Sequence, residues 1–254
     1  MDHAIPSASY LVAETQAFVK RYMSQAQFDS SHDYNHIMRV WALAKHIHSV
    51  EKATHPSVNY DPIIIELCAL LHDVCDHKYV SALSHSTTSS SITTTNPPSP
   101  DHHPPTPAPA SFPPITPLEF LLSISCPPSL AHSVQEIITS ISYRTETSSP
   151  DLIRVTLRDH PELAIVQDAD RLDALGAVGI GRAFTFGAAR GGGGGGKGQG
   201  MQGAVDHFGE KLERLEGMMK TEEGQRMARE RTRRVEVFRG WWEEECGVVG
   251  GGIK

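Results

Sequence analysis

Pro62-Ile63-Ile64-Ile65-Glu66-Leu67-Cys68-Ala69-Leu70-Leu71-His72-Asp73-Val74 is the stretch on which the fold turns. Pro62 suits the first turn of a helix, where its missing N–H costs nothing. The run that follows is nearly continuous in apolar residues, as a central buried helix requires. It ends on a histidine and an aspartate side by side. Burying an ionised aspartate beside a histidine is expensive unless both are paired or hold a cation. Neighbouring residues project about 100° apart on a helix, yet at a helix end both side chains can converge on one ion. A His-Asp dipeptide alone recurs by chance and is weak support for any chemistry.

Working outward, the spacing predicts an amphipathic helix over 8–23, with Leu11, Val12, Phe18, Val19 and Tyr22 near helical period. Ser30, Ser31 and Asp33 supply N-cap chemistry for a second helix, whose stripe is Ile37, Val40, Trp41, Ala44 and Ile47. Beyond the central run, helices are expected over 117–125 and 128–142. A long helix with a small-residue face is expected over 164–186, and two terminal helices over 204–220 and 222–245. No alternating pattern is sustained, so the predicted fold is all-α. The expected organisation is one domain over 1–254, its core drawn from 8–80 and 117–246.

Two segments break the pattern. Residues 81–117 are rich in Ser and Thr, then in Pro, with His102 and His103 adjacent. Such composition buries too little apolar surface to offset its ordering entropy. The segment reads as a disordered insertion within the domain. Residues 190–200 are a glycine run with one lysine and one glutamine. Without a preceding strand or a Gly-Lys-Ser/Thr ending it is a flexible loop, not a phosphate cradle.

Composition excludes several classes. The 254 residues suffice for a buried core, and 39% are hydrophobic. The formal net charge is −7 with no long basic run, so a nucleic-acid polymer is not the expected partner. A small phosphorylated substrate stays open, because a cation and a few local Lys or Arg invert the field inside a pocket. The four cysteines, Cys68, Cys75, Cys126 and Cys246, form no C-x-x-C pair, which leaves a zinc ribbon or disulfide framework little support. The N-terminus has no basic region followed by an apolar one, and 176–189 is too polar to span a bilayer. A cytoplasmic protein that does not engage a membrane is expected.

Two further segments strengthen the His72-Asp73 signal. His36 stands at the start of the apolar stripe of the second helix. In Gln167-Asp168-Ala169-Asp170-Arg171-Leu172-Asp173, three carboxylates and an arginine interrupt an apolar helix. Asp170 and Asp173 share a face at i, i+3. A solvated charged face would keep its apolar residues on one side. Here Ala169, Leu172, Ala174 and Leu175 surround the acids, which fits a partly buried cluster better.

The order His … His-Asp … Asp resembles the HD superfamily of metal-dependent phosphohydrolases. His32-Asp33-Tyr34-Asn35-His36-Ile37-Met38-Arg39-Val40-Trp41 is similar to the opening motif of a subfamily near the bacterial YedJ-type proteins. Asp168-Ala169-Asp170-Arg171-Leu172-Asp173-Ala174-Leu175-Gly176-Ala177 is similar to its closing motif, and Asp206-His207-Phe208 with Lys211, Leu212 and Leu215 to its C-terminal helix. The likeness covers most of 10–80 and 130–240 and skips the Ser/Thr/Pro segment.

The resemblance implies a helical bundle with His36, His72, Asp73 and Asp170 as metal ligands. Asp168 competes for the last place and is otherwise an outer partner. His32 and Asp33 are implied to orient His36, with plain capping an equal alternative for His32. Asp76 falls where relatives carry a proton-handling acid, and Lys78, Arg39 and Arg171 are expected to meet phosphate. A surface ion pair is the alternative for Arg171. Relatives often carry a histidine near 141–143, where this chain has Ile141, so a single ion is expected. Mixed imidazole and carboxylate ligands suit Mn²⁺, Fe²⁺, Co²⁺ or Ni²⁺ better than Mg²⁺.

The implied activity is hydrolysis of a small phosphomonoester, a nucleotide, by metal-activated water. The main alternative is a non-catalytic nucleotide or metal sensor with the same fold. A di-iron oxygenase would need further histidine ligands. An interaction protein would use the Pro-rich stretch as PPII segments.

Overall fold

The computed structural model describes residues 5–25, 33–74, 115–190, 200–208 and 213–250, and among them every regular element is helical. The helices are α1 (Ala8–Met23), α2 (Tyr34–Thr54), α3 (Pro62–Leu71), α4 (Pro117–Ser123), α5 (Pro128–Ser140), α6 (Tyr143–Ser148), α7 (Pro150–Asp159), α8 (Glu162–Asp173), α9 (Gly176–Arg190), α10 (Met201–His207) and α11 (Glu222–Gly250). A short turn, Glu213–Leu215 with a 3₁₀ step Glu216–Met218, leads into α11. Residues 75–114 and 191–199, which hold most of the Ser/Thr/Pro segment and of the glycine run, lie outside the described residues.

The centre of the bundle is α3. It packs on α1, α2, α5 and α8, and α2 also lies along α8. Leu67, Cys68, Ala69, Leu70 and Leu71 are fully buried there, so the apolar run needs no solvated face. Ile37, Val40, Ala44 and Ile47 of α2 and Leu163, Ile165, Val166, Ala169 and Leu172 of α8 close over it. The first turns of α1, α3 and α4 are capped by side chains. The Ser7 hydroxyl accepts from the N–H of Tyr10, and Asp61 accepts from that of Ile63. Thr116 and Glu119 form a capping box that starts α4. No helix of the described residues is long and apolar enough to cross a membrane.

The structure departs from the expected helix over 164–186, which is two helices. The turn bonds Ala174 N–H to Arg171 O and Leu175 N–H to Leu172 O close α8. Gly176 then takes φ +70°, open to glycine at little cost. A Cβ on Gly179 would lie 2.1 Å from the Ala174 carbonyl oxygen, so α9 folds back tightly on the end of α8. A run of small apolar residues hides this corner from periodicity. Of the expected helix over 204–220, residues up to His207 and Glu213–Leu215 are helical, Glu216–Met218 is a 3₁₀ step, and 209–212 lie outside the described residues; α6 and α7 fill a stretch where no helix was expected. On α7 the inward face is Ile153, Thr156 and the partly buried Leu157, while Leu152 and Val155 are exposed, so apolar residues fall on both faces of a short helix.

Candidate metal centre

Three helices deliver the cluster. In α2, the Asp33 carboxylate accepts from the His36 backbone N–H at 2.9 Å, which fixes the first turn and sends the His36 ring into the core, 1% exposed. His72 and Asp73 follow the last residue of α3, where the helix ends and both side chains are free to turn inward. Asp170 and Asp173 lie one turn apart on α8, the helix that runs along α2.

The Nε2 atoms of His36 and His72 approach to 3.2 Å. His36 Nε2 is also 3.4 Å from Asp73 Oδ2 and 3.6 Å from Asp170 Oδ1. His72 Nε2 is 3.7 Å from Asp73 Oδ1 and from Asp170 Oδ1. The opposite ring nitrogens face groups that only accept. His36 Nδ1 donates to Asp173 Oδ2 at 2.7 Å, and His72 Nδ1 donates to the Ala69 carbonyl at 2.9 Å. With the proton on Nδ1, a neutral ring turns its Nε2 lone pair toward the other ring and the two carboxylates. Lone pairs crowded on one point repel unless a positive charge sits among them. His36, His72 and Asp73 offer ligand atoms within 4.8 Å of one another, all buried, and they fit a divalent cation.

The electrostatics point the same way. Burial disfavours the His36 imidazolium, but its hydrogen bonds to Asp173 and Asp73 outweigh that and raise its pKa above the ordinary value. For His72, burial is likewise overcome by the Asp73 charge and by Asp170, and its pKa is pushed up to about 9. Burial would raise Asp170, yet the hydrogen bond from His72 and the charges of His72 and His36 hold it well below the usual carboxylate range. The cluster thus attracts positive charge, and without an ion protons supply it. Asp170 keeps its side chain 35% exposed, so solvent reaches the cluster on that side.

Other expected residues fall differently. Asp168, two residues before Asp170, is fully buried and accepts from the N–H groups of Lys220 and Thr221 and from the Thr221 hydroxyl, at 2.7–3.0 Å. It ties α8 to the start of α11 and bonds to none of the cluster residues. Arg171 is 5% exposed, paired with Glu146 and donating to the Met218 carbonyl at 2.9 Å. Its guanidinium is engaged in a buried joint rather than on the surface. Arg39 forks onto Asp173, Nε to Oδ1 at 2.7 Å and Nη2 to Oδ2 at 3.0 Å. Asp33 contacts the His36 backbone. His32, Asp76 and Lys78 lie outside the described residues. Asp173, the partner of the His36 ring, was not singled out by sequence reasoning; its place one turn after Asp170 was the available signal.

No family model matches the chain. A solved HD-superfamily hydrolase from Bacillus thuringiensis superposes with a TM-score of 0.52 at 26% identity, over 95% of this chain and 99% of that one. Protein YpgQ of Bacillus subtilis strain 168 is 34% identical over 205 residues, 80% of this chain and 78% of that protein. The chain belongs to the YpgQ-like HD-superfamily hydrolases. The crystal structure of YpgQ in complex with ADP matches with a TM-score of 0.60 and 30% identity, over 92% of this chain and 97% of that one. In this HD-superfamily hydrolase the buried His-Asp group sits where α2, α3 and α8 meet, built from both sides of the segment 75–114.

Proposed function

We propose that this chain is a metal-dependent phosphohydrolase that acts on a small phosphomonoester, a nucleotide. One observation carries the reading: two imidazole nitrogens 3.2 Å apart, with the Asp73 and Asp170 carboxylates beside them. His36, His72, Asp73 and Asp170 would hold one ion, Mn²⁺, Fe²⁺, Co²⁺ or Ni²⁺ in preference to Mg²⁺. Such an ion, when bound, lowers the pKa of water and polarises a phosphoryl group. That the site draws on residues before and after 81–117 supports one domain with an insertion.

The chain's own groups do the remaining work. Asp73, Asp170 and Asp173 bring three negative charges, while Arg39, Arg182 and a divalent cation more than offset them, which favours an anionic substrate. Arg39, 36% exposed, presents a guanidinium to a phosphate oxygen. Asp76 moves the proton, a role worth about 10²–10⁴-fold, and Lys78 neutralises developing charge. Both assignments come from the motif resemblance. Arg171 has no part in this scheme, because Glu146 and Met218 already engage it. The ADP bound to YpgQ supports a nucleotide, and the YedJ-type motifs support the reaction class.

The test is phosphate release from a panel of nucleotides and sugar phosphates with Mn²⁺, Co²⁺, Ni²⁺ or Mg²⁺, wild type beside Asp73→Asn. Metal-dependent release lost in the variant is the expected result. Thermal stabilisation by a nucleotide with no release from any member would favour the sensor instead.

A further inference from the structure

We propose that Asp173 is a positioning residue for the metal centre, setting the ring orientation and tautomer of His36 and holding the Arg39 guanidinium beside it. The inference rests on reading His36, His72, Asp73 and Asp170 as a cation site. Asp173 is only 1% exposed, and its two oxygens meet three side chains. Oδ2 accepts from His36 Nδ1 at 2.7 Å and from Arg182 Nη1 at 3.0 Å. The Arg39 fork takes Oδ1 through Nε and Oδ2 through Nη2.

This arrangement has consequences for both neighbours. Two guanidiniums keep the carboxylate ionised, so it accepts from the His36 ring and cannot donate to it. The ring proton is then held on Nδ1, and the Nε2 lone pair is left for an ion. A carboxylate on the far nitrogen also raises the basicity of the ligating one. His72 obtains its orientation from a neutral carbonyl, so the two histidines are set by partners of different strength. Arg39 uses Nε and Nη2 on Asp173, while its Nη1 makes no hydrogen bond among the described residues. The planar fork therefore leaves donors pointing away from Asp173, in a fixed direction.

The α8–α9 corner completes the device. Gly176 at φ +70° and the close approach at Gly179 fold α9 back on α8, and Arg182 returns to Asp173 nine residues after it. The carboxylate thus joins α2, α8 and α9 at one point, and the corner that hid the break in the helix is what delivers its second guanidinium.

The experiment is calorimetric titration of Mn²⁺ into metal-free full-length protein for wild type, Asp173→Asn and Asp173→Ala. Thermal melting of each apo form and the visible spectrum of each Co²⁺ form accompany it. Asp173→Ala should bind Mn²⁺ about 10–100-fold more weakly. Asp173→Asn keeps the shape and an accepting oxygen but not the charge, and should fall between. The Co²⁺ spectrum should change in both, which a purely structural role would not produce. If Asp173→Ala fails to fold, Asp173→Asn decides. Wild-type affinity and an unchanged spectrum in the variants overturn the positioning role while leaving the metal site intact. A wild type that binds no ion overturns the metal reading itself, and the inference with it.

Discussion

Asp168 and Asp170 are two residues apart on α8, on either side of Ala169, and the structure puts them to opposite uses. Asp168 is surrounded by donors: two backbone N–H groups and a hydroxyl at the start of α11. Asp170 faces imidazoles and a second carboxylate. One carboxylate completes a set of hydrogen bonds, and the other joins a cluster that attracts positive charge, the place proposed above for a metal ligand. The type of residue does not separate a brace from a ligand. The sign of what surrounds it does.

The sharpest way to break the comparison is to remove the brace. Asp168→Ala leaves the Lys220 and Thr221 N–H groups buried without their acceptor, at about 1–3 kcal/mol each. The expected loss is about 3 kcal/mol, or roughly 10 °C in Tm for a chain of this size, read by calorimetry. The carboxylate is closely seated, since a Cβ at Gly224 would lie 2.3 Å from Asp168 Oδ2. Mn²⁺ affinity of the folded variant should stay near wild type. A fall as large as that of a ligand variant would place Asp168 in the centre.

Asp170→Ala is the converse. Mn²⁺ affinity should drop at least about 100-fold, some 2.7 kcal/mol, in the same titration. The apo Tm should fall less than in Asp168→Ala, because the side chain is a third exposed and, beyond its pairing with the two imidazoles, no backbone N–H depends on it. A large loss of apo stability with affinity intact would exchange the two roles.

Much of this was legible in the residues, and the illegible part has a physical cause. The stripe of α1, the cap at Asp33 and the apolar run of α3 are local signals, and the structure realises each where the pattern puts it. His36, His72, Asp73 and Asp170 are far apart in sequence, yet α2, α3 and α8 bring them within one cluster. What the sequence hid is non-local. Arg171 pairs with Glu146 on α6, a helix without an apolar stripe. Asp168 meets Thr221 across 53 positions. The break before α9 depends on a positive φ at Gly176 that a run of small residues does not announce. Asp173 becomes important only once α2 is known to lie along α8.

The same helix offers a finer contrast in acid. Burial would raise the pKa of Asp173, but His36 and Arg39 outweigh it and hold the carboxyl at about 2 against an ordinary 3.8. A depressed carboxyl stabilises the fold above its unfolded pKa, and that stability is lost as pH falls toward the folded one. For Asp168 burial dominates the hydrogen bonds from Thr221 and Lys220, and its pKa is raised. A raised carboxyl has the opposite sign: its contribution is fully present below the unfolded pKa and is lost as pH rises through the folded one. Urea melts of the metal-free protein at pH 5 and pH 3 separate the two. The stability gap between wild type and Asp173→Asn should shrink by about 1 kcal/mol on acidification. The gap between wild type and Asp168→Asn should widen over the same interval. Gaps that move in the same direction would mean that donors and acceptors are not divided between the two carboxylates as the hydrogen bonds indicate. The contrast between brace and ligand would then have to rest on metal affinity alone.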